Sequence, residues 1–253
     1  MKTDIHSPSP LALWIAVAAL CAALPVEGQK PRDEEFAAAV ADVLKRDPQI
    51  VIDAINSYQA EKQRRERLEE WRNAFAAPAD IDLSNAPLIG PINARWTIVE
   101  VADFECRFCA SAQESLKAVL GRYKGQIRLA FLHLPLPNHP NARLAALAAW
   151  AASRQGRFFE YQERLFALEG NIQPAVLATI ADDLKLDLPA FERDRGSPEA
   201  VAAIDSDVAQ AKRAGILGTP SFIVNGIVVR GALSGTTFED LTKFLSSPER
   251  NTR

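Results

Sequence analysis

Apolar residues recur along this chain with two different spacings. Between residues 32 and 77 they return every three or four positions, which predicts helix. Asp47-Pro48 interrupts this stretch, because aspartate favours a helix N-cap and proline is tolerated in the first helical turn. The second helix is highly charged from 61 to 70 and ends on apolar residues, which suits a stalk or an oligomer contact. A solvated surface helix is the alternative.

The rest of the chain predicts strands and helices in alternation. Residues 97–101 and 127–134 are apolar, strand-length runs, and residues 141–214 are rich in Ala and Leu, as expected for several helices. Two further apolar runs flank Asn225-Gly226, a strong signal for a β-hairpin turn. Thr236 and Glu239 have the spacing of a capping box that opens a last helix. This order of elements predicts an α/β fold.

Residues 1–28 predict a cleaved secretion signal. Lys2 precedes an apolar run at 11–24, and small residues stand at the −3 and −1 positions before Gln29. The run is too short to cross a membrane comfortably, although an uncleaved membrane anchor is the alternative. We expect the mature chain to begin near Gln29.

Length, charge and cysteine count narrow the class of protein. The chain has 253 residues, enough for one domain and an appendage, and its net charge of −3 argues against nucleic acid as a partner. Of its three cysteines, Cys21 lies in the predicted signal, which leaves Cys106 and Cys109. A disulfide between cysteines this close closes a very small loop and adds little stability. The pair therefore indicates a redox couple.

The motif Cys106-Arg107-Phe108-Cys109 lies between a predicted strand and a predicted helix. Unpaired backbone N–H groups and the helix dipole at a helix start lower the pKa of a thiol and make it reactive. Cys106 is therefore the candidate nucleophile for disulfide exchange, and Cys109, one turn on, is the candidate resolving thiol. Arg107 either adds a positive charge beside the thiolate or is simply solvated.

This order of elements resembles the thioredoxin fold, and the long helical insertion resembles its DsbA-like branch of secreted bacterial dithiol oxidoreductases. Residues 103–109, Gly218-Thr219-Pro220 and residues 139–146 are similar to motifs of that branch. The resemblance implies a DsbA-like thioredoxin domain over residues 81–253, with a helical insertion at about 138–214. It implies no cofactor.

The resemblance also implies roles for individual residues. Glu100 occupies the strand position of a buried acid, where burial raises a carboxyl pKa and lets it accept the proton of Cys109. A carboxylate paired with a lysine or the backbone is the alternative. Thr219 and Pro220 match a loop with a cis peptide bond that binds the substrate strand. Arg107 and Phe108 join them as candidate substrate-binding residues, and this dipeptide differs from that of many relatives, which leaves the redox potential open.

The stretch from Phe36 to Tyr58, with Arg46-Asp47-Pro48, resembles the N-terminal helical region of ScsC-like members, which implies a helical segment over residues 29–80. The resemblance implies homo-oligomerisation through residues 33–77 and action on wrongly paired disulfides of cysteine-containing secreted proteins in the periplasm. We therefore expect a disulfide isomerase or reductase that a membrane redox partner keeps reduced. A monomeric dithiol oxidase is the alternative.

Three rival functions use the same residues. Cys106 and Cys109 with His133 and His139 supply zinc-type ligands, but the gap of more than twenty residues between the pairs is long for a zinc finger. The two thiolates alone suit Cu(I), and ScsC-like proteins are linked to copper tolerance. A structural adaptor is the third possibility, but it would have no need of a second cysteine.

Overall fold

The computed structural model describes residues 30–247, so the predicted signal at residues 1–28 lies outside the described residues. The described residues fall into two compact units, with the boundary between Arg64 and Arg65. Among the described helices, none is long and apolar enough to cross a membrane.

Helix predominates in the described part of the first unit. Helix α1 spans Lys30–Arg46 and α2 spans Gln49–Ala76, which confirms the predicted break at Asp47-Pro48. The Asp47 carboxylate accepts a hydrogen bond from the backbone N–H of Gln49 at 3.2 Å, as an aspartate near a helix start does. Several large apolar side chains of this unit are exposed: Phe36, Val40, Val43, Ile50, Val51, Ile52, Ile55 and Tyr58.

The second unit is built on a five-stranded sheet with the strand order β1-β3-β2-β4-β5. Its strands are β1 Leu88–Ile89, β2 Trp96–Ala102, β3 Ile127–His133, β4 Ser221–Val224 and β5 Ile227–Arg230. Its further helices are α3 Arg107–Arg122, α4 Ala142–Arg154, α5 Phe158–Phe166, α6 Pro174–Asp183, α7 Leu188–Arg195, α8 Pro198–Arg213 and α9 Gly235–Ser246. The predicted α/β class, the helical insertion and the hairpin are therefore present.

Strand β2 lies at the centre of the sheet. It pairs in parallel with β3, from Trp96 beside Ile127 to Ala102 beside His133, and antiparallel with β4. A central strand covered on both faces must be apolar, which explains its near-continuous hydrophobic sequence. The carboxyl end of β2 leads directly into the loop that carries the cysteine pair.

The end of α2 packs in the core of the second unit. The Trp71 side chain is buried, and its ring lies 6.2 Å from that of Phe244 on α9. Leu68 and Phe75 pack against the same core cluster. The apolar residues that end the charged helix are thus explained by burial within this unit.

The last helix begins differently from its prediction. Ser234 is the N-cap of α9, and its hydroxyl accepts a hydrogen bond from the Thr237 backbone N–H at 3.1 Å. The predicted capping box of Thr236 and Glu239 is therefore wrong. Glu239 instead pairs with Lys243, one turn on, at 2.9 Å. A serine two residues upstream competes successfully for the cap because serine is among the best N-cap residues.

Candidate active site

The loop between β2 and α3 is held by the buried carboxylate of Asp103. One carboxylate oxygen accepts the backbone N–H of Glu105 at 2.8 Å. The other accepts the backbone N–H of Leu136 at 2.8 Å and lies 2.7 Å from His139 Nδ1. The residue before the cysteine pair is thereby tied to the start of the helical insertion.

The insertion supports the same loop from a second side. The Glu105 carboxylate accepts the backbone N–H of Asn141 at 2.7 Å, and the Asn141 side chain donates to the Ile172 carbonyl at 3.0 Å. Gly170 has φ +86°, and a Cβ there would lie 2.6 Å from the Glu105 carbonyl oxygen. Only glycine permits this close approach.

Cys106 is the N-cap residue of α3, and both cysteines of the motif are reduced and buried. A hydrogen bond from the Cys109 thiol lowers the pKa of Cys106 to about 5, against the opposing effect of burial. Cys106 Sγ lies 3.7 Å from the Thr219 carbonyl oxygen. The Thr219 side chain and the backbone N–H groups of Cys109 and Phe108 lower the pKa of Cys106 further. Cys106 is therefore largely a thiolate at neutral pH.

Cys109 has the opposite character. The hydrogen bond that the Cys109 thiol donates to the Cys106 sulfur raises the pKa of Cys109 far above the ordinary value, and burial raises it further. It remains a protonated thiol at neutral pH and needs a base before it can attack. The two sulfurs thus differ as a nucleophile and a resolving thiol must.

The Thr219–Pro220 peptide bond is cis, in agreement with the resemblance. Pro220 is buried at the start of β4, and its carbonyl accepts the Gly231 backbone N–H at 3.0 Å. This loop faces Cys106 through the Thr219 carbonyl. The structure therefore brings together the cysteine pair and the cis-proline loop, which are more than a hundred residues apart in sequence.

Glu100 is fully buried in β2, and burial raises its pKa to about 7. Two glutamines, neither identified from the sequence, donate to its carboxylate: Gln113 at 2.6 Å and Gln162 at 3.0 Å. The Gln113 amide also donates to the Cys109 carbonyl at 3.3 Å. The glutamine partners replace the lysine or backbone partner considered as the alternative.

Comparisons with known proteins agree with this geometry. A family model described as thioredoxin matches residues 82–246. The chain belongs to the thioredoxin family. As a member, it is similar to the crystal structure of a thioredoxin-like oxidoreductase from Silicibacter pomeroyi DSS-3, with 27% identity, a TM-score of 0.58 and coverage of 69% of this chain and 95% of that one.

Two further similarities concern ScsC and a transporter. ScsC of Proteus mirabilis in a transitional conformation shares the fold, with 19% identity, a TM-score of 0.55 and coverage of 89% of this chain and 98% of that one. The family model and the 27% identical structures confirm the resemblance to DsbA-like thioredoxin-fold proteins, and the match to ScsC shows a shared fold. The Na(+)/H(+) antiporter NhaA 3 of Salinispora tropica is 40% identical over 138 residues, which are 54% of this chain. The chain spans only about a fifth (21%) of that relative's length.

Exposed side chains surround the buried sulfurs of this thioredoxin-family site. Phe108 is 69% exposed within the motif, and Leu217, two residues before Thr219, is 78% exposed. Arg107 is also exposed, at the first position of α3. Apolar groups on the surface beside a reactive thiol are suited to contact with an unfolded polypeptide.

The two histidines considered for zinc lie in different surroundings. The His133 ring is buried among Phe104, Phe131 and Phe158, with ring centroids 5.0 to 5.8 Å away. His139 faces the Asp103 carboxylate instead. His133 therefore belongs to the core, and His139 to the support of the active-site loop.

The low pKa of Cys106 can be measured directly. In the reduced protein, thiolate absorbance at 240 nm should rise with a midpoint near pH 5, because the Cys109 thiol and backbone N–H groups favour the charged form. The Cys106→Ser variant should lose this transition, because the titrating thiol is gone and burial still raises the pKa of Cys109. A wild-type midpoint near the ordinary value of about 8.5 would contradict the assignment.

Proposed function

We propose that this chain is a thiol–disulfide oxidoreductase acting on cysteine-containing secreted proteins in the bacterial periplasm. The observation that carries the proposal is the opposite pKa shift of the two cysteines beside a cis-proline loop. Such a pair has one sulfur ready to attack and one held back until it is deprotonated.

The first step is attack on a substrate disulfide. The Cys106 thiolate forms a bond to one substrate sulfur, the substrate S–S bond breaks, and the second substrate sulfur leaves as a thiolate that takes a proton from solvent. The Thr219 backbone beside Cys106 offers an edge for the bound substrate strand, while Phe108 and Leu217 offer apolar contact.

The second step releases the substrate. The Cys109 thiol gives its proton to the Glu100 carboxylate and attacks Cys106 Sγ. The mixed disulfide breaks, the Cys106–Cys109 disulfide forms, and the bound substrate sulfur leaves as a thiolate. The pair is oxidised by two electrons and the substrate disulfide is reduced. A carboxyl with a pKa of about 7 is well matched to accept a proton near neutral pH.

The direction of exchange depends on what restores the pair. We favour an isomerase or reductase that a membrane redox partner returns to the dithiol. The Cys106 thiolate stabilises the dithiol form, which is the form that an isomerase needs in order to attack a wrong disulfide. A disulfide that is readily given up also suits a monomeric oxidase, which is the second candidate. The exposed apolar Phe108 and Leu217 favour the first candidate, since misfolded substrates expose apolar segments.

The first unit offers a surface for self-association. Its helices leave a groove of about 520 Å³ lined by apolar residues that include Val51, Ile55 and Tyr58. Exposed apolar patches of this kind mark association surfaces in proteins. An assembly joined through residues 33–77 would give one misfolded substrate several active sites at high effective concentration, as an isomerase requires.

Removal of the second cysteine should trap the mixed disulfide between Cys106 and its substrate. In Cys109→Ser, Cys106 still forms mixed disulfides but nothing resolves them, so covalent adducts with secreted proteins should accumulate on non-reducing gels. Cys106→Ser should form none and should lose exchange activity. If Cys109→Ser forms no adducts, or Cys106→Ser forms as many, the assigned roles are wrong.

Self-association can be tested by a single substitution that places a charged side chain in the apolar groove. Ile55→Glu places a carboxylate in the apolar groove and should lower the mass measured by light scattering to that of a monomer. Ser57→Glu, an exposed position two residues away on the same helix, is the matched control and should leave the mass unchanged. A monomeric wild-type protein, or an unchanged mass for Ile55→Glu, would refute the assembly.

A further inference from the structure

The Glu100 carboxylate is held by two neutral amides from different parts of the chain. Gln113 lies on α3, one turn after Cys109, and Gln162 lies on α5 of the insertion. Each donates to a different carboxylate oxygen, Gln113 to Oε1 at 2.6 Å and Gln162 to Oε2 at 3.0 Å. Gln162 is only 5% exposed, so water does not readily replace its amide.

Among the described residues, no charged side chain forms a hydrogen bond or an ion pair with the Glu100 carboxylate. Its neighbours in the sheet are Phe131 on β3 and Phe222 on β4. Cys109 is the titratable residue linked to this network on α3, because its backbone carbonyl accepts the Gln113 amide at 3.3 Å.

Two charged side chains that line the same cavity as the glutamines pair with each other. Lys117 on α3 and Glu163 on α5 form an ion pair at 2.5 Å, and both are well exposed. The two amides are therefore the groups that stabilise the buried carboxylate in its charged form.

We propose that Gln113 and Gln162 are positioning residues that keep the Glu100 carboxylate charged and aligned to accept the proton of Cys109. The inference rests on the proposed function and adds to it two residues that act through Glu100. Through Gln162, the helical insertion takes part in the proton-transfer step as well as in support of the loop.

The same two amides lie at the edge of a path to solvent. Gln113 and Gln162 line an open cavity of about 400 Å³ between α3 and α5, together with Lys117 and Glu163. After Cys109 has attacked, the protonated Glu100 must return its proton before the next cycle. Water in this cavity is the acceptor for that proton, because the neutral amides donate hydrogen bonds and do not carry it.

Loss of one amide should make the charged form of Glu100 harder to maintain. In Gln162→Leu, the carboxylate keeps one donor in an apolar site, so its pKa should rise by about one to two units. Glu100 would then stay protonated at neutral pH and could not accept the proton of Cys109. Release of the mixed disulfide should therefore slow about tenfold at pH 7 and recover at higher pH.

The test follows both steps of exchange by stopped flow between pH 5.5 and 9, with glutathione disulfide as the probe. Gln162→Leu should move the midpoint of the release step up by about one unit or more, and leave the Cys106 attack step within about twofold of wild type. Gln210→Leu is the matched control, because Gln210 is an equally buried glutamine that binds the Asp82 backbone instead. It should leave both steps unchanged.

Further variants separate positioning from general damage. Gln113 is half-buried, and Gln113→Leu provides a second variant with the same expected shift if Gln162→Leu does not fold. In a Glu100→Gln background, Gln162→Leu should cause no further shift, because it acts through Glu100. A release midpoint equal to wild type in both leucine variants, or a shift that persists without Glu100, would overturn the inference. A wild-type protein with no exchange at all would instead refute the proposed function.

Discussion

The hydrogen bond between the two active-site sulfurs is the interaction on which the rest of the site depends. One proton is shared unequally, so the pKa of Cys106 falls to about 5 while that of Cys109 rises far above its ordinary value. That inequality needs Cys106 at the start of α3, where backbone N–H groups are free to favour negative charge. The central strand β2 fixes where that helix begins.

The helical insertion fixes the position of the loop that carries the cysteine pair, through hydrogen bonds and close packing. Asp103 and Glu105 receive hydrogen bonds from its first residues, and Gly170 approaches the Glu105 carbonyl too closely for any side chain. Gln162 reaches from the same insertion to the Glu100 carboxylate. Strained or tightly packed contacts of this kind preorganise a site before substrate arrives. The insertion therefore holds the loop that carries the cysteine pair and contributes a partner to the buried Glu100.

Local sequence signals predicted much of this arrangement. The cysteine pair, the apolar strand before it and the Asn225-Gly226 turn each depend on neighbours in sequence, so pattern and spacing were sufficient. Thr219-Pro220 was recognisable only through its family motif, because the fold brings it to Cys106 across more than a hundred residues. Gln162 gave no signal, since a glutamine in an amphipathic helix looks the same whether it binds solvent or a buried carboxylate. Gln113 could have been identified from the sequence, because its position one helical turn after Cys109 places it on the same face of the helix.

The central claim is that the pair is a reversible couple whose reduced form is stabilised by the Cys106 thiolate. The most direct measurement is its equilibrium reduction potential against glutathione at pH 7. The account predicts a single two-electron couple between about −270 mV and about −120 mV, because a pKa of about 5 lies between those of thioredoxin and DsbA. A potential at or below about −270 mV, or no reversible couple, would contradict it.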